Sequence, residues 1–148
     1  MIRELITEIE IDAPPDRVWR ILTDFKQFGA WNPLITQAKG DIKEGARLRV
    51  HMKLPGRTAM TSKLTVVVVH VAAERELRWL GHVLHPGVFT GEQSFELSPL
   101  GEGRTRFVQR EAFRGLLVPF LPNGLAAITR RGFEAMNVAL KEQAEAES

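Results

Sequence analysis

The sequence predicts an α+β domain in which a strongly curved antiparallel sheet of about six to seven strands wraps around one long C-terminal helix. Three observations carry that expectation. From Ile35 to Phe113 the chain keeps an apolar–polar alternation of period two, broken by turn residues. From Pro122 to Glu145 the period changes: Leu125, Thr129, Phe133, Met136 and Leu140 recur three and four apart, with Arg130, Glu134, Lys141 and Glu145 on the other side. The connections between the alternating segments are tight turns, which join antiparallel strands, whereas parallel pairs need long crossovers.

Each element has its own signal. Leu5, Thr7, Ile9 and Ile11 alternate with Ile6, Glu8 and Glu10 and predict a first strand with one polar face. In Asp12-Ala-Pro-Pro-Asp16, Asp12 or Ala13 is expected to cap a helix whose first turn holds the prolines. Val18, Trp19, Ile21 and Leu22 form its buried side, and it ends near Asp24. A second short turn, Phe25 to Phe28, leads into Trp31-Asn-Pro33, where the proline turns Asn32 away from helix.

Strands are then expected at Ile35–Ala38, around Leu48–Leu54, Thr58–Val71, Glu76–His82, Phe89–Leu97 and Phe107–Phe113. Pro55-Gly56, His85-Pro86-Gly87 and Pro99 to Gly103 supply turns. Placing Lys63 in water turns Met60, Ser62, Leu64 and Val66 inward. One polar face per strand predicts a sheet covered on one side only, and the long helix is the cover. At 1.5 Å per residue that helix is roughly 33 Å long. A curved sheet gripping it can enclose a cavity. Thr129 and Gly132 fall on the helix's inward stripe; glycine there means either close approach of a strand or room for a ligand. A polar tail follows Lys141.

Composition sets bounds. A chain of 148 residues is expected to be one domain, 1–148, and 44% hydrophobic with 26% charged residues is ordinary globular usage. A net charge of +2, with no long basic run, gives no argument for nucleic acid. The absence of cysteine excludes disulfides, thiolate metal sites and a cysteine nucleophile. Charged residues from Arg3 to Asp12 do not fit a signal peptide, and no apolar run reaches the ~18 residues of a membrane span. The cytoplasm is the expected compartment, with no stable membrane insertion. Pairing into a homodimer is left open.

Ile9-Glu-Ile-Asp-Ala-Pro-Pro-Asp-Arg-Val-Trp19, followed by Trp31-Asn-Pro33, resembles the opening signature of the START-like (SRPBCC, helix-grip) superfamily. Glu76-Leu-Arg-Trp79, Gly91-Glu-Gln-Ser-Phe-Glu-Leu97 and Thr105-Arg-Phe107 resemble its bacterial polyketide cyclase/dehydrase and lipid-transport members. The resemblance spans essentially the whole chain. It implies the helix-grip fold, but the superfamily's functions are diverse, so function has to be argued from the site. In many relatives a histidine stands where this chain has Gln93.

No residue pattern announces a cofactor or a metal. His51, His70, His82 and His85 show no helical i, i+4 pairing and are expected at the surface; no phosphate loop or nucleophile elbow is present. The informative group is polar and inward-phased: Trp79, Gln93, Gln109 and Glu111. Buried polar groups need partners. Gln93 and Gln109, in matching phases on consecutive strands, either bond each other or hold a ligand. Glu111 either pairs with Arg110 or Arg114, sits at a wet cavity mouth, or is a buried carboxyl with a raised pKa. Trp31 either borders the cavity entrance or plugs the core. Gly115 to Pro122 is apolar and is a lid, a docking patch or a packed connector.

The leading expectation is a binder of a small hydrophobic or amphipathic molecule. Met52, Met60, Trp79, Phe95, Phe107, Phe133 and Met136 would line its cavity; Gln93, Gln109 and Glu111 would orient the ligand, and Trp31 and Thr129 would border it. One alternative is a polyketide cyclase or dehydratase using Glu111 as acid or base. The other is a protein-interaction module whose cavity is filled by side chains.

Overall fold

The computed structural model describes residues 2–55, 61–83, 87–121 and 124–147. Strand β1 (Ile2–Ile11) is followed by helix α1 (Pro15–Thr23), a 3-10 turn at Phe25–Gln27 and the one-turn helix α2 (Phe28–Trp31). Six strands come next: β2 (Ile35–Lys39), β3 (Arg47–Lys53), β4 (Thr61–Ala72), β5 (Glu76–Val83), β6 (Phe89–Pro99) and β7 (Thr105–Arg114). A 3-10 turn at Val118–Phe120 leads into α3 (Leu125–Ala146). The expected start of a strand at Thr58, the inward Met60, Gly56, the His85-Pro86 turn and the Pro122-Asn123 helix start lie outside the described residues.

The seven strands form one curled antiparallel sheet in the order β1-β7-β6-β5-β4-β3-β2, a half-barrel that grips α3. Hairpins connect β2 through β7, and β1 returns beside β7 with Ile2 opposite Arg114 and Ile11 opposite Thr105. Register shifts between Ile35 and Gln37 in β2 and between Val68 and His70 in β4 interrupt the ladders, and such bulges bend strands. The inward phase is the expected one at Leu48 and Val50, Val66, Leu77 and Trp79, Gln93, Phe95 and Leu97, and Phe107 and Gln109, all buried. Ser62, expected inward near the start of β4, is exposed, and Leu64 is exposed to 38%.

The outward face is a ladder of ion pairs across strands. Arg110 donates to Glu4 on β1 and Glu96 on β6, at 2.9 Å each; Arg114 donates to Glu92 at 2.6 Å; Arg78 pairs with Glu76 and Glu92. Such exposed pairs each contribute ~1 kcal/mol or less, but opposite charges across strands favour one register.

The core runs from the small helices into the sheet as a chain of aromatic contacts. Trp31 meets Phe28, Phe28 meets Phe25, Phe25 meets Trp79 and Trp79 meets Phe95, all edge to face; Phe95 then stacks on Phe107 with ring centres 6.2 Å apart. Trp31 thus belongs to the core packing of α2. Trp19, expected in the core, is partly buried and packs against it.

Helix α1 departs from expectation at its start. Pro14 occupies the cap position and makes no side-chain cap; its carbonyl accepts from Arg17 and Val18. Asp12 and Ala13 serve elsewhere: the Asp12 N–H donates to Glu145, and the Ala13 carbonyl accepts from the Thr105 hydroxyl at 2.7 Å. Helix α3 ends at Ala146, one residue past the expected Glu145, and so includes most of the polar tail after Lys141. Arg17 donates to the carbonyls of Ala144 and Glu147, supplying partners that the last turn of a helix lacks. Ala144 is fully buried.

Gly132 has a packing reason. A Cβ there would stand 3.0 Å from Leu34 Cδ1, 3.3 Å from Pro55 Cδ and 3.4 Å from Leu54 Cδ2. Of the two readings, close approach of neighbouring chain is the one realised. Overpacking a close contact costs ~1–3 kcal/mol. Gly132→Val is therefore expected to destabilise the fold by about 2 kcal/mol, read as a lower urea midpoint at unchanged slope.

Candidate functional site

A cavity of about 610 Å³ lies between the first half of α3 and the inward face of β3 to β7. Leu125, Thr129 and Phe133 form its helical wall; Met52, Val66, Trp79, Phe89 and Phe113 are among its apolar lining residues. Arg47, Lys63 and His82, all exposed, line it at the β3–β5 side. The Thr129 hydroxyl donates to the Leu125 carbonyl at 2.8 Å, so its one donor is taken up within the helix.

Two glycines make space. Gly81 and Gly91 are cross-strand partners on the inward phase of β5 and β6, and both line the cavity. Side chains at those positions would project into the volume. A Cβ on Gly91 would lie 2.7 Å from Glu111 Oε1, so the missing side chain is what admits the Glu111 carboxyl.

Behind the cavity runs a buried polar relay. The Trp79 indole N–H donates to Gln93 Oε1 at 3.1 Å, Gln93 Nε2 donates to Gln109 Oε1 at 2.9 Å, and Gln109 Nε2 donates to Asn137 Oδ1 at 2.8 Å. Asn137 Nδ2 donates to Thr7 Oγ1 at 3.0 Å, and the Thr7 hydroxyl returns to the Gln109 carbonyl. The relay crosses three strands and fastens α3 to β1. Gln93 and Gln109 thus bond each other. Asn137, in the same helical turn as Phe133 and Met136, is the member that sequence reasoning missed; its place on the inward stripe was the available signal.

Glu111 stands apart from the relay. It lies opposite Gln93 on β6 and Leu5 on β1, lines the cavity, and has no side-chain hydrogen bond or ion pair among the described residues. The expected partners are turned away: Arg110 and Arg114 serve the outward ladder. Burial, with a smaller contribution from the Glu92 carboxylate, pushes the Glu111 carboxyl up to about 8.

Of the residues expected around a ligand, the structure brings Met52, Trp79, Gln93, Glu111, Thr129 and Phe133 around one cavity. Phe95, Phe107, Gln109 and Met136 are instead fully buried behind it, and Trp31 packs on Phe28. Met60 lies outside the described residues. Gly81, Gly91, Phe89, Phe113 and Leu125 are among the lining residues that sequence reasoning did not name as such, and the paired glycines were the readable sign of space. The Gly115 to Leu121 connector is neither simply packed nor free. Val118 is buried, Leu116 and Phe120 are nearly fully exposed, and Leu117 donates to the Val88 carbonyl. Among the described residues no group of three or more His, Asp or Glu could hold a metal ion, and no helix is long and apolar enough to cross a membrane.

Glu111 makes stability pH-dependent with a definite sign. Its folded-state pKa lies above its ordinary 4.5, so the folded chain holds a proton that the unfolded chain has lost. This favours the fold below about pH 4.5, and the advantage drains away as pH rises towards 8. At ~1.4 kcal/mol per unit, the full effect is on the order of a few kcal/mol. Glu111→Gln is expected to match the parent near pH 4.5 and exceed it above pH 8 in urea unfolding.

Comparisons place these features. Similar architectures include the Zhui aromatase/cyclase from a Streptomyces species, at TM-score 0.76 and 21% identity, covering 98% of this chain and 94% of that one. A START superfamily protein from Mycobacterium smegmatis gives 0.76 at 19% identity over 98% and 99% of the two chains. Norcoclaurine synthase from Thalictrum flavum gives 0.73 at 15% over 100% and 98%. At these identities the likeness is one of fold. No functionally curated protein matches the sequence. A family model matches residues 4–145, and the chain belongs to the polyketide cyclase/dehydrase and lipid transport family.

Proposed function

We propose that this protein binds a small hydrophobic or amphipathic molecule in the cavity between the sheet and the first half of α3. The observation that carries the reading is the cavity itself. Its volume of about 610 Å³ falls within the ~300–1,000 Å³ of small-molecule sites, and its wall is apolar with a few placed polar groups. Burial of apolar ligand surface would drive binding at ~25 cal/mol per Å² before the costs of association. A module with its cavity filled by side chains would lack this volume.

Catalysis of the cyclase or dehydratase type is the second reading, favoured by Glu111. A carboxyl with a pKa of about 8 is largely protonated at neutral pH and can donate a proton or hydrogen bond to a substrate oxygen. Glu111→Gln separates the two readings: turnover through that carboxyl falls ~100-fold or more, whereas retention of a neutral ligand needs no ionisable group.

The binding reading is tested with Nile red. Saturable one-to-one binding is expected, with quenching of Trp79 on the cavity wall. Thr129→Phe puts a ring into the volume and is expected to abolish binding while far-UV circular dichroism stays native. Equal binding by the parent and the filled variant would overturn the assignment.

A further inference from the structure

We infer that the cavity is built for an amphipathic molecule bearing a basic amine, and that the Glu111 carboxylate receives the ammonium group. The inference rests on the binding reading above and adds the chemistry of the ligand's polar end. Glu111 is the one acidic residue among the described lining residues of the cavity. Among the described residues, no countercharge faces it from the elements around it. On β1, Leu5 stands opposite, and Arg3 farther along is exposed. On β7 itself, Arg110 and Arg114 are turned to the outward ladder.

On β6, Gln93 is engaged by Trp79 and Gln109, Gly91 has no side chain, and Glu92 adds a second negative charge held by Arg114 and Arg78. On α3, the facing residues Leu125, Thr129 and Phe133 carry no charge. The cations of the cavity, Arg47 and Lys63, with His82, lie on β3, β4 and β5, and all three are exposed.

An unpaired carboxylate against an apolar wall is costly, and a proton or a cation relieves it more than a neutral donor does. An ammonium brings opposite charge and up to three N–H donors, and charge-assisted hydrogen bonds are roughly twice as strong as neutral ones. A ligand carboxylate or phosphate at the same place would be repelled by the ionised carboxyl and by Glu92, and would hold Glu111 to its protonated form. A neutral hydroxyl gains one ordinary hydrogen bond. Because the ligand-free carboxyl is largely protonated at neutral pH, docking of an ammonium ion breaks the Glu111 O–H bond and releases that proton to buffer. The products are a carboxylate–ammonium pair and one solvated proton, so charge balances.

The test is titration calorimetry near neutral pH with naphthylethylamine, naphthylethanol and naphthylacetate, in two buffers of different ionisation enthalpy. The amine is expected to bind at least about tenfold tighter than the alcohol, with close to one proton released, while the alcohol releases none and the acid is weakest. Glu111→Gln is expected to remove both the amine preference and the proton release, and circular dichroism checks its fold. If the alcohol or the acid matches the amine in the parent, the amine inference is overturned and the binding reading stands. If none of the three binds and Nile red does not bind either, both are overturned.

Discussion

The structure depends on one buried hydrogen-bonded relay, from Trp79 through Gln93, Gln109 and Asn137 to Thr7. It is the buried polar stitch between a curled sheet and the helix, whose other polar contacts with the sheet are exposed ones at Arg130 and Lys141. Gln93, Gln109, Asn137 and Thr7 are all buried, so any member without its partner would carry a desolvation cost of ~1–3 kcal/mol. That penalty specifies one seating of α3. The C-terminal half of the helix is further held by Lys141 to the Glu10 carbonyl, Glu145 to the Asp12 N–H and Arg17 to the last turn. The N-terminal half has Leu125, Thr129 and Phe133 on the cavity wall instead. One end of the helix closes the core and the other roofs a cavity.

Much of this was legible in the sequence because a strand's side-chain period is two. Placing one residue of a strand correctly places its whole face. The inward set on β5 to β7 followed from Trp79, Phe95 and Phe107, and the matching phases of Gln93 and Gln109 offered their contact as one of two readings, the one the structure realises. The long helix was equally plain from its stripe. The starting cap of α1 was not: Asp12 and Ala13 looked suitable locally, but contacts with Glu145 and Thr105, over ninety positions away, took them.

The boundary between core and cavity wall was not legible either. Phe95 and Phe133 share an inward phase with equal hydrophobicity, yet only Phe133 reaches the cavity. That distinction depends on where the helix sits above the sheet, which no local period encodes. The state of Glu111 had the same character. Its isolation depends on Arg110 and Arg114 finding Glu4, Glu96 and Glu92 on the opposite face. Gly91 then gives the carboxyl its place. The functional reading therefore comes from two features that need three dimensions, the open volume and the unpartnered acid within it.

Native mass spectrometry of the protein as purified, followed by denaturing extraction, tests the central claim most directly. The account predicts a discrete additional mass on the folded chain, one molecule per protein, that is lost on denaturation. A clean apo mass, with no thermal shift across amines, fatty acids, sterols and quinones, would contradict it.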